Sequence, residues 1–420
     1  MQIKDVEKKD IDSAIAEYVT LINSDEGFKN RTIQYIEAKQ QQISRFIEAG
    51  KSGVADPKYK LTVLRKWNSY TPVLPNENES LSNKGGGYFL RAADFGIVID
   101  PGYNFVENFM NAGFKLDDID CVFISHAHND HTVELESIFS LLYKRNDKHT
   151  EEPVKKIKLF VNLGTFKKFA GYFDLSNPKD NYYIEDIVIL NRHQSLVVND
   201  SVSVFVADAK HHEMISRDYA VGFIFQINDD EENKLCTINF TCDTGWSTEF
   251  QEKNKDLAKD SLKKIEDDNG DVDVLVAHIG SIKEREFSYD CNKPLSENSD
   301  YLYTNHLGMI GCLASIFHWQ PNLVLLSEFG QEMDAIREDI AKRFQEISKK
   351  NVIATDINFT LDLQCLEAMC FNDRNFYPIE DITTHPKDGQ LYYINENNLN
   401  AQDALEIDRK LGRDIKVFSD

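Results

Sequence analysis

The sequence has no apolar run long enough to cross a bilayer, and its opening, MQIKDVEKKD, is charged where a secretory leader would be apolar. A cytoplasmic protein with no membrane partner is therefore expected. CxxC pairs are also absent. The seven cysteines, Cys121, Cys236, Cys242, Cys291, Cys312, Cys365 and Cys370, are scattered and odd in number, which argues for reduced, buried thiols rather than a disulfide framework or zinc knuckle. Positive charge is scarce: 47 Lys and Arg stand against 70 Asp and Glu, a net charge of -23. That field repels polyanions at long range and disfavours broad binding to nucleic acid. One basic run, with Lys144, Arg145, Lys148, Lys155, Lys156, Lys158, Lys167 and Lys168 outnumbering Asp147, Glu151 and Glu152, reads as a solvated face. Prolines are few, and 41% hydrophobic with 28% charged residues is ordinary for a folded chain, so disorder does not dominate.

What is present divides the chain into three. Residues 1–55 form a helical N-terminal extension: over 9–50 the pattern is helical, and Ile33, Ile36, Ile43, Phe46 and Ile47 could share one stripe, with Gly50 and Gly53 ending it. Such an extension would serve packing, self-association or a protein partner. From residue 56 to 375 the texture changes to short strands broken by turn residues, among them KLTVLRKW, GGGYFLRAA, FGIVIDPG, IDCVFISH, IKLFVNL, VSVFVADA, DVDVLVAHI and NLVLLSEFG. Helical patterns lie between some of them, around 134–144, 252–266, 305–318 and 331–349. That alternation predicts a layered α/β domain. Residues 376–420 add a strand, QLYYIN, and a helix, NAQDALEIDRKLG.

The densest chemistry is in CVFISHAHNDHT, residues 121–132, where three histidines and an aspartate follow an apolar strand. Ligands on one tight turn can converge on a metal at little entropic cost. His126 and His128 alternate, so both can face one ion, while Asp130 and His131 point toward a second position. The bland alternative, a histidine-rich surface loop, fits poorly with a place directly after a strand, where active-site loops of α/β proteins sit.

HAHNDH resembles the HxHxDH signature of the metallo-β-lactamase superfamily, and other motifs follow in the order found there. Asp100 in FGIVIDPG looks like the aspartate that orients the histidine loop. A histidine after VFVADAK looks like the third ligand of the first metal; His211 and His212 are adjacent, and the pattern fits better ending at His211. Asp243 in FTCDTGW resembles the bridging aspartate, with Cys242 in place of the usual glycine. The order of features is closest to the ribonuclease Z-like phosphodiesterase branch, through LTVLRKWNSYTP and NHLGMIGCLASI. In LVLLSEFG, however, Glu328 stands where that branch carries a ligand histidine, and no glycine- and proline-rich arm is visible, which weighs against precursor-tRNA cleavage.

The resemblance implies an αββα metallo-β-lactamase sandwich behind the helical extension, and two divalent ions, Zn2+ or alternatively Mn2+ or Fe2+. His126, His128 and His211 would hold the first, Asp130, His131 and Glu328 the second, with Asp243 bridging. Asp130 would also take a proton, and His306, or else His278, would protonate the leaving group. Bland readings stand beside these: a core histidine for His278, a helix cap for His306, a bystander for Glu328. The implied activity is metal-dependent hydrolysis of a phosphodiester in a nucleotide, cyclic nucleotide or single-stranded nucleic acid. The alternatives are hydrolysis of a lactone, ester or amide, or an interaction protein with a vestigial site.

Overall fold

Residues 121–124 follow the period of a strand buried on both faces: Cys121 and Phe123 belong to one apolar core, Val122 and Ile124 to another. The same alternation recurs in Val274 and Val276 against Leu275 and Ala277, and it builds the layers described below. A computed structural model describes residues 10–53, 57–68, 85–173, 183–213, 219–231, 233–262, 272–370, 375–379, 382–384 and 391–393.

Two helices come first, α1 (Ile11–Ser24) and α2 (Glu26–Phe46). Asp10 and Asp25 cap them, each side chain accepting from the backbone N–H three residues on. The helical stretch expected over 9–50 is thus broken at Asp25, and it ends at Phe46, ahead of both glycines. The expected stripe is largely uncovered: Phe46 and Ile47 are buried, while Ile33, Ile36 and Ile43 are exposed. The hairpin meets the domain through its last turn, where Phe46 packs edge-on against Phe109.

The first half of the domain runs β1 (Tyr59–Val63), β2 (Tyr88–Ala92), β3 (Phe95–Ile99), α3 (Phe105–Asn111), β4 (Cys121–Ile124), α4 (Asn129–Thr132), α5 (Leu135–Lys148), β5 (Ile157–Val161), α6 (Leu163–Lys168) and β6 (Ile184–Ile189). The second half runs β7 (Ser195–Asn199), β8 (Val202–Asp208), β9 (Val221–Asn228), β10 (Lys234–Phe240), α7 (Thr248–Ser261), β11 (Val274–Gly280), α8 (Gly308–Trp319), β12 (Leu323–Phe329), α9 (Arg337–Ser348) and β13 (Asn351–Ala354). Three short strands, β14 (Thr360–Asp362), β15 (Glu367–Met369) and β16 (Phe376–Pro378), then return to the first sheet beside β1. The sheet orders are β16-β15-β14-β1-β2-β3-β4-β5-β6 and β13-β12-β11-β10-β9-β8-β7.

The inner faces of the two sheets close on one core, in which Phe123 stacks on Phe160 and meets Phe223 and Phe225 edge-on. Outside, α3 and α5 cover the first sheet, and α7, α8 and α9 cover the second. Helix, sheet, sheet, helix: this is the expected αββα sandwich. Strands β3 to β6 run parallel, as do β10 to β13. Parallel strands carry their functional loops at their carboxyl ends, and here those ends bear Asp100, the histidine loop, Asp243, His278 and Glu328.

The basic run is not merely a solvated face. Arg145 pairs with Asp117 at 2.9 Å, Lys155 with Asp120 at 2.8 Å, and Lys158 with Glu185 at 3.4 Å. The strand expected at QLYYIN is present as β18 (Leu391–Tyr393), paired with β17 (Ile382–Thr384). The helix expected at NAQDALEIDRKLG, His385, and the end of LTVLRKWNSYTP lie outside the described residues. Among the described residues no helix is long and apolar enough to cross a membrane.

Replacing Phe123 with Ala should leave a cavity between the sheets. A loss of about 3–5 kcal/mol, read as a lowered urea midpoint with an unchanged slope, is expected.

Candidate metal centre

The site is built where strands end, and the backbone there is unusual. Asp100, Cys242 and Glu328 have left-handed φ values of 49°, 49° and 55°. A side chain in that region costs roughly 1–2 kcal/mol, a cost met where the fold must turn a side chain out of a strand into a crevice. Asp100, fully buried, organises the histidine loop. Its Oδ1 accepts from the Ser125 N–H at 2.7 Å, and its Oδ2 accepts from the Ser125 hydroxyl at 2.6 Å and from His131 Nδ1 at 2.9 Å.

These contacts assign tautomers. With the Ser125 proton committed to Asp100, His126 Nδ1, 3.0 Å from Ser125 Oγ, carries the hydrogen of that contact. His211 Nδ1 lies 2.8 Å from the Asn305 carbonyl, which can only accept. Both rings therefore present a bare Nε2. Those two nitrogens lie 3.1 and 3.2 Å from His128 Nδ1, and 3.6 and 3.9 Å from Asp243 Oδ2. His126, His128, His211 and Asp243 thus form one group whose ligand atoms all lie within 4.8 Å of one another. Four atoms about 2.0–2.2 Å from one tetrahedral ion would be spaced about 3.3–3.6 Å. Donors so close can share a proton through His128 Nδ1 or converge on one cation.

A second group shares Asp243. His131 Nε2 lies 3.2 Å from Asp130 Oδ2, 3.4 Å from Asp243 Oδ2 and 3.5 Å from Glu328 Oε1, with no well-aligned hydrogen bond to any of them. Three buried carboxylates around one nitrogen demand positive charge, as a proton or a metal ion. The residues therefore fit two divalent ions, one nitrogen-rich and one oxygen-rich.

Electrostatics agree. Burial, reinforced by the neighbouring imidazoles, holds His126 well below the usual histidine value; burial, with His211, brings His128 down to about 4, so both stay neutral and able to ligate at pH 7. For Asp130, burial alone would raise the pKa, but His131 outweighs it and the carboxyl falls to about 2.

A family model described as the beta-lactamase superfamily domain matches residues 96–327. The chain belongs to the β-lactamase superfamily. Similar solved structures include the metallo-beta-lactamase fold protein YhfI from Bacillus subtilis, 13% identical over 73% of this chain and 100% of that one, with a TM-score of 0.49. Human tRNase Z, short form, is 13% identical over 72% and 99%, with a TM-score of 0.46. Zn2+-bound PqqB from Methylobacterium extorquens is 10% identical over 72% and 99%, with a TM-score of 0.45. No curated protein matches the chain.

The remaining sequence candidates of this superfamily member also find places. His211 is buried in the ligand group, whereas His212 is exposed. His278 is wholly buried, its Nδ1 3.3 Å from Asp243 Oδ1 and 3.2 Å from Glu328 Oε2, its Nε2 2.9 Å from the Tyr88 hydroxyl. With Asp243 and Glu328 it forms a further group whose ligand atoms lie within 4.8 Å of one another. His306 is nearer the surface, with Nδ1 3.7 Å from Asp243 Oδ1. Cys242, in place of glycine, adopts the left-handed conformation that a glycine would take freely.

Sequence reasoning missed four participants. Arg65, wholly buried, forms an ion pair with Glu328 and donates to the Asp130 carbonyl. Tyr88 bridges His278 and Ser327, and burial pushes its phenol above the usual range. Glu213 accepts from the Ala127 N–H and from Asn162 behind the histidine loop, and burial raises it to about 7. Lys168, taken as part of a basic face, donates to the Ala127 carbonyl, Asn129 and Thr132 and so braces that loop. For Arg65 and Tyr88 the only signal was a polar group within or just beyond an apolar strand, as Arg65 is in KLTVLRKW; Glu213 and Lys168 carried none.

Elemental analysis should find about two divalent ions per chain. His211→Ala should lose at least one of them and Asp243→Ala should lose both, while His212→Ala should keep the wild-type content.

Proposed function

We propose that the chain is a metal-dependent hydrolase that cleaves phosphodiester bonds in a nucleotide, cyclic nucleotide or single-stranded RNA, using two divalent ions. The observation carrying the hydrolase reading is the pair of ligand groups joined through Asp243. Divalent ions at such a pair supply a nucleophile from water at neutral pH and stabilise charge on the reacting oxygens.

The chain's own residues do the rest. His126 and His211 are held in one tautomer by Ser125 and the Asn305 carbonyl, with Nε2 turned toward His128 and Asp243, so these two stand ready to bind without reorganising. Asp130, kept ionised, is placed to orient a water and accept its proton. On the other side of Asp243, His306 can hand a proton to the departing oxygen.

The surroundings of His306 favour a phosphodiester over a carbonyl substrate. The Tyr303 ring lies 5.2 Å from the imidazole, and Lys283 Nζ lies 4.4 Å from the Tyr303 ring centroid. A local cation and an aromatic face beside the proton donor suit an anionic substrate carrying a base. The acidic surface elsewhere disfavours long duplexes.

Turnover of bis(p-nitrophenyl) phosphate and a cyclic nucleotide, set against a panel of lactones and β-lactams, tests this reading. Phosphodiesters should be the substrates turned over. Asp130→Ala should lower kcat by about 10²–10⁴-fold and His306→Ala by about 10²-fold, with KM changed less than kcat. Turnover confined to the lactones would replace the phosphodiesterase reading by a carbonyl one.

A further inference from the structure

The two N-terminal helices carry apolar surface that no other described residue covers. Every residue of α1 except Ile22 is exposed, as is every residue of α2 from Glu26 to Ile43, so neither helix shields the other. Of the twenty large hydrophobic side chains exposed among the described residues, ten lie in these helices of 14 and 21 residues. Single exposed hydrophobics need no explanation, but a concentration of them marks an interaction face. Their spacing is ordered as well. Ile11, Ile15, Tyr18 and Ile22 recur at steps of four, three and four residues, and Ile33, Ile36, Ile43 and Ile47 keep the same register on α2, the pattern that lays a seam along a helix for another helix to pack on. A 14-residue helix with no buried residue is at the length where isolated helices are marginal in water. It needs a partner. Charge is divided between the two helices: the only charged residues of α1 are Asp12 and Glu17, whereas α2 holds Lys29, Arg31, Lys39 and Arg45 against Glu26 and Glu37.

We propose that this surface is a self-association face on which two copies of the chain meet about a two-fold axis, α1 of each packing on α2 of the other. A two-fold contact joins the same patch on both subunits, so the patch must complement itself. Here it does: an acidic helix and a basic helix follow one another in one chain, and each meets its opposite on the second. An unrelated partner would have to carry both charges in matching order, whereas a second copy carries them already. The area is sufficient. A stable interface removes about 800 Å² per partner from water, and ten large apolar side chains, each between 41% and 77% exposed, supply area of that order. With a net charge of -23 the copies repel at long range, so the pairing of α1 with α2 decides which helices meet. The inference uses no residue of the metal centre and stands apart from the hydrolase reading.

Sedimentation velocity and light scattering of the full-length protein over a wide concentration range should show a dimer. Ile15→Glu combined with Ile36→Glu should weaken association by about tenfold or more, while circular dichroism and metal content stay at wild-type values because both positions are exposed. Asp12→Lys with Glu17→Lys in one chain, and Lys29→Glu with Lys39→Glu in another, should each give monomers, since like charges then face each other. Mixing these two proteins should restore a dimer holding one copy of each. A wild type that stays monomeric throughout, or a dimer undiminished by the paired isoleucine substitutions, would overturn the proposal. Monomeric charge variants that fail to pair on mixing would overturn the packing of α1 on α2.

Discussion

The Nε2 atoms of His126 and His211 converge to 3.1 and 3.2 Å from His128 Nδ1, with Asp243 Oδ2 3.6 and 3.9 Å from them. The rest of the site is arranged around that convergence. Neutral rings brought this close, with Asp243 beside them, offer a cation a ready set of donors. The hydrogen bonds through Ser125, Asp100 and Asn305 hold the His126 and His211 rings with Nε2 facing the cluster. Those partners are as much part of the centre as the nitrogens themselves.

The sandwich explains how such a cluster can be held. Two sheets pack through Phe123, Phe223, Phe225 and their neighbours, and this rigid core brings the carboxyl ends of parallel strands from both sheets to one edge. The left-handed residues at Asp100, Cys242 and Glu328 sit at that edge. Local strain is concentrated where side chains must leave the strand direction, and the cores on both sides of each sheet bear its cost. The histidine loop of the first sheet contributes to both groups, while His211, Asp243 and Glu328 reach in from the second.

Much of this was legible from residue order. The apolar run CVFI marked a strand, and HAHNDH marked a metal-binding turn, because local spacing alone brings those donors together. The helices at Leu135–Lys148, Thr248–Ser261, Gly308–Trp319 and Arg337–Ser348 fell close to the expected ranges, since amphipathic periodicity survives folding. The N-terminal stripe did not: periodicity describes a face that could be buried, and tertiary packing covered only its end. The basic run misled in a similar way, because Asp117 and Asp120, which pair with Arg145 and Lys155, lie more than twenty residues earlier.

By itself, the sequence determined the family, the layered architecture and the histidine turn, all of which depend on neighbours along the chain. Only the tertiary structure brought His211 rather than His212 beside His126, His128 and Asp243, set His278 between Asp243 and Glu328, and brought Arg65 to Glu328. Those outcomes turn on atoms separated by tens to hundreds of residues. A buried charge acquires its meaning from the partner that folding places against it, and no spacing along the chain records that distance.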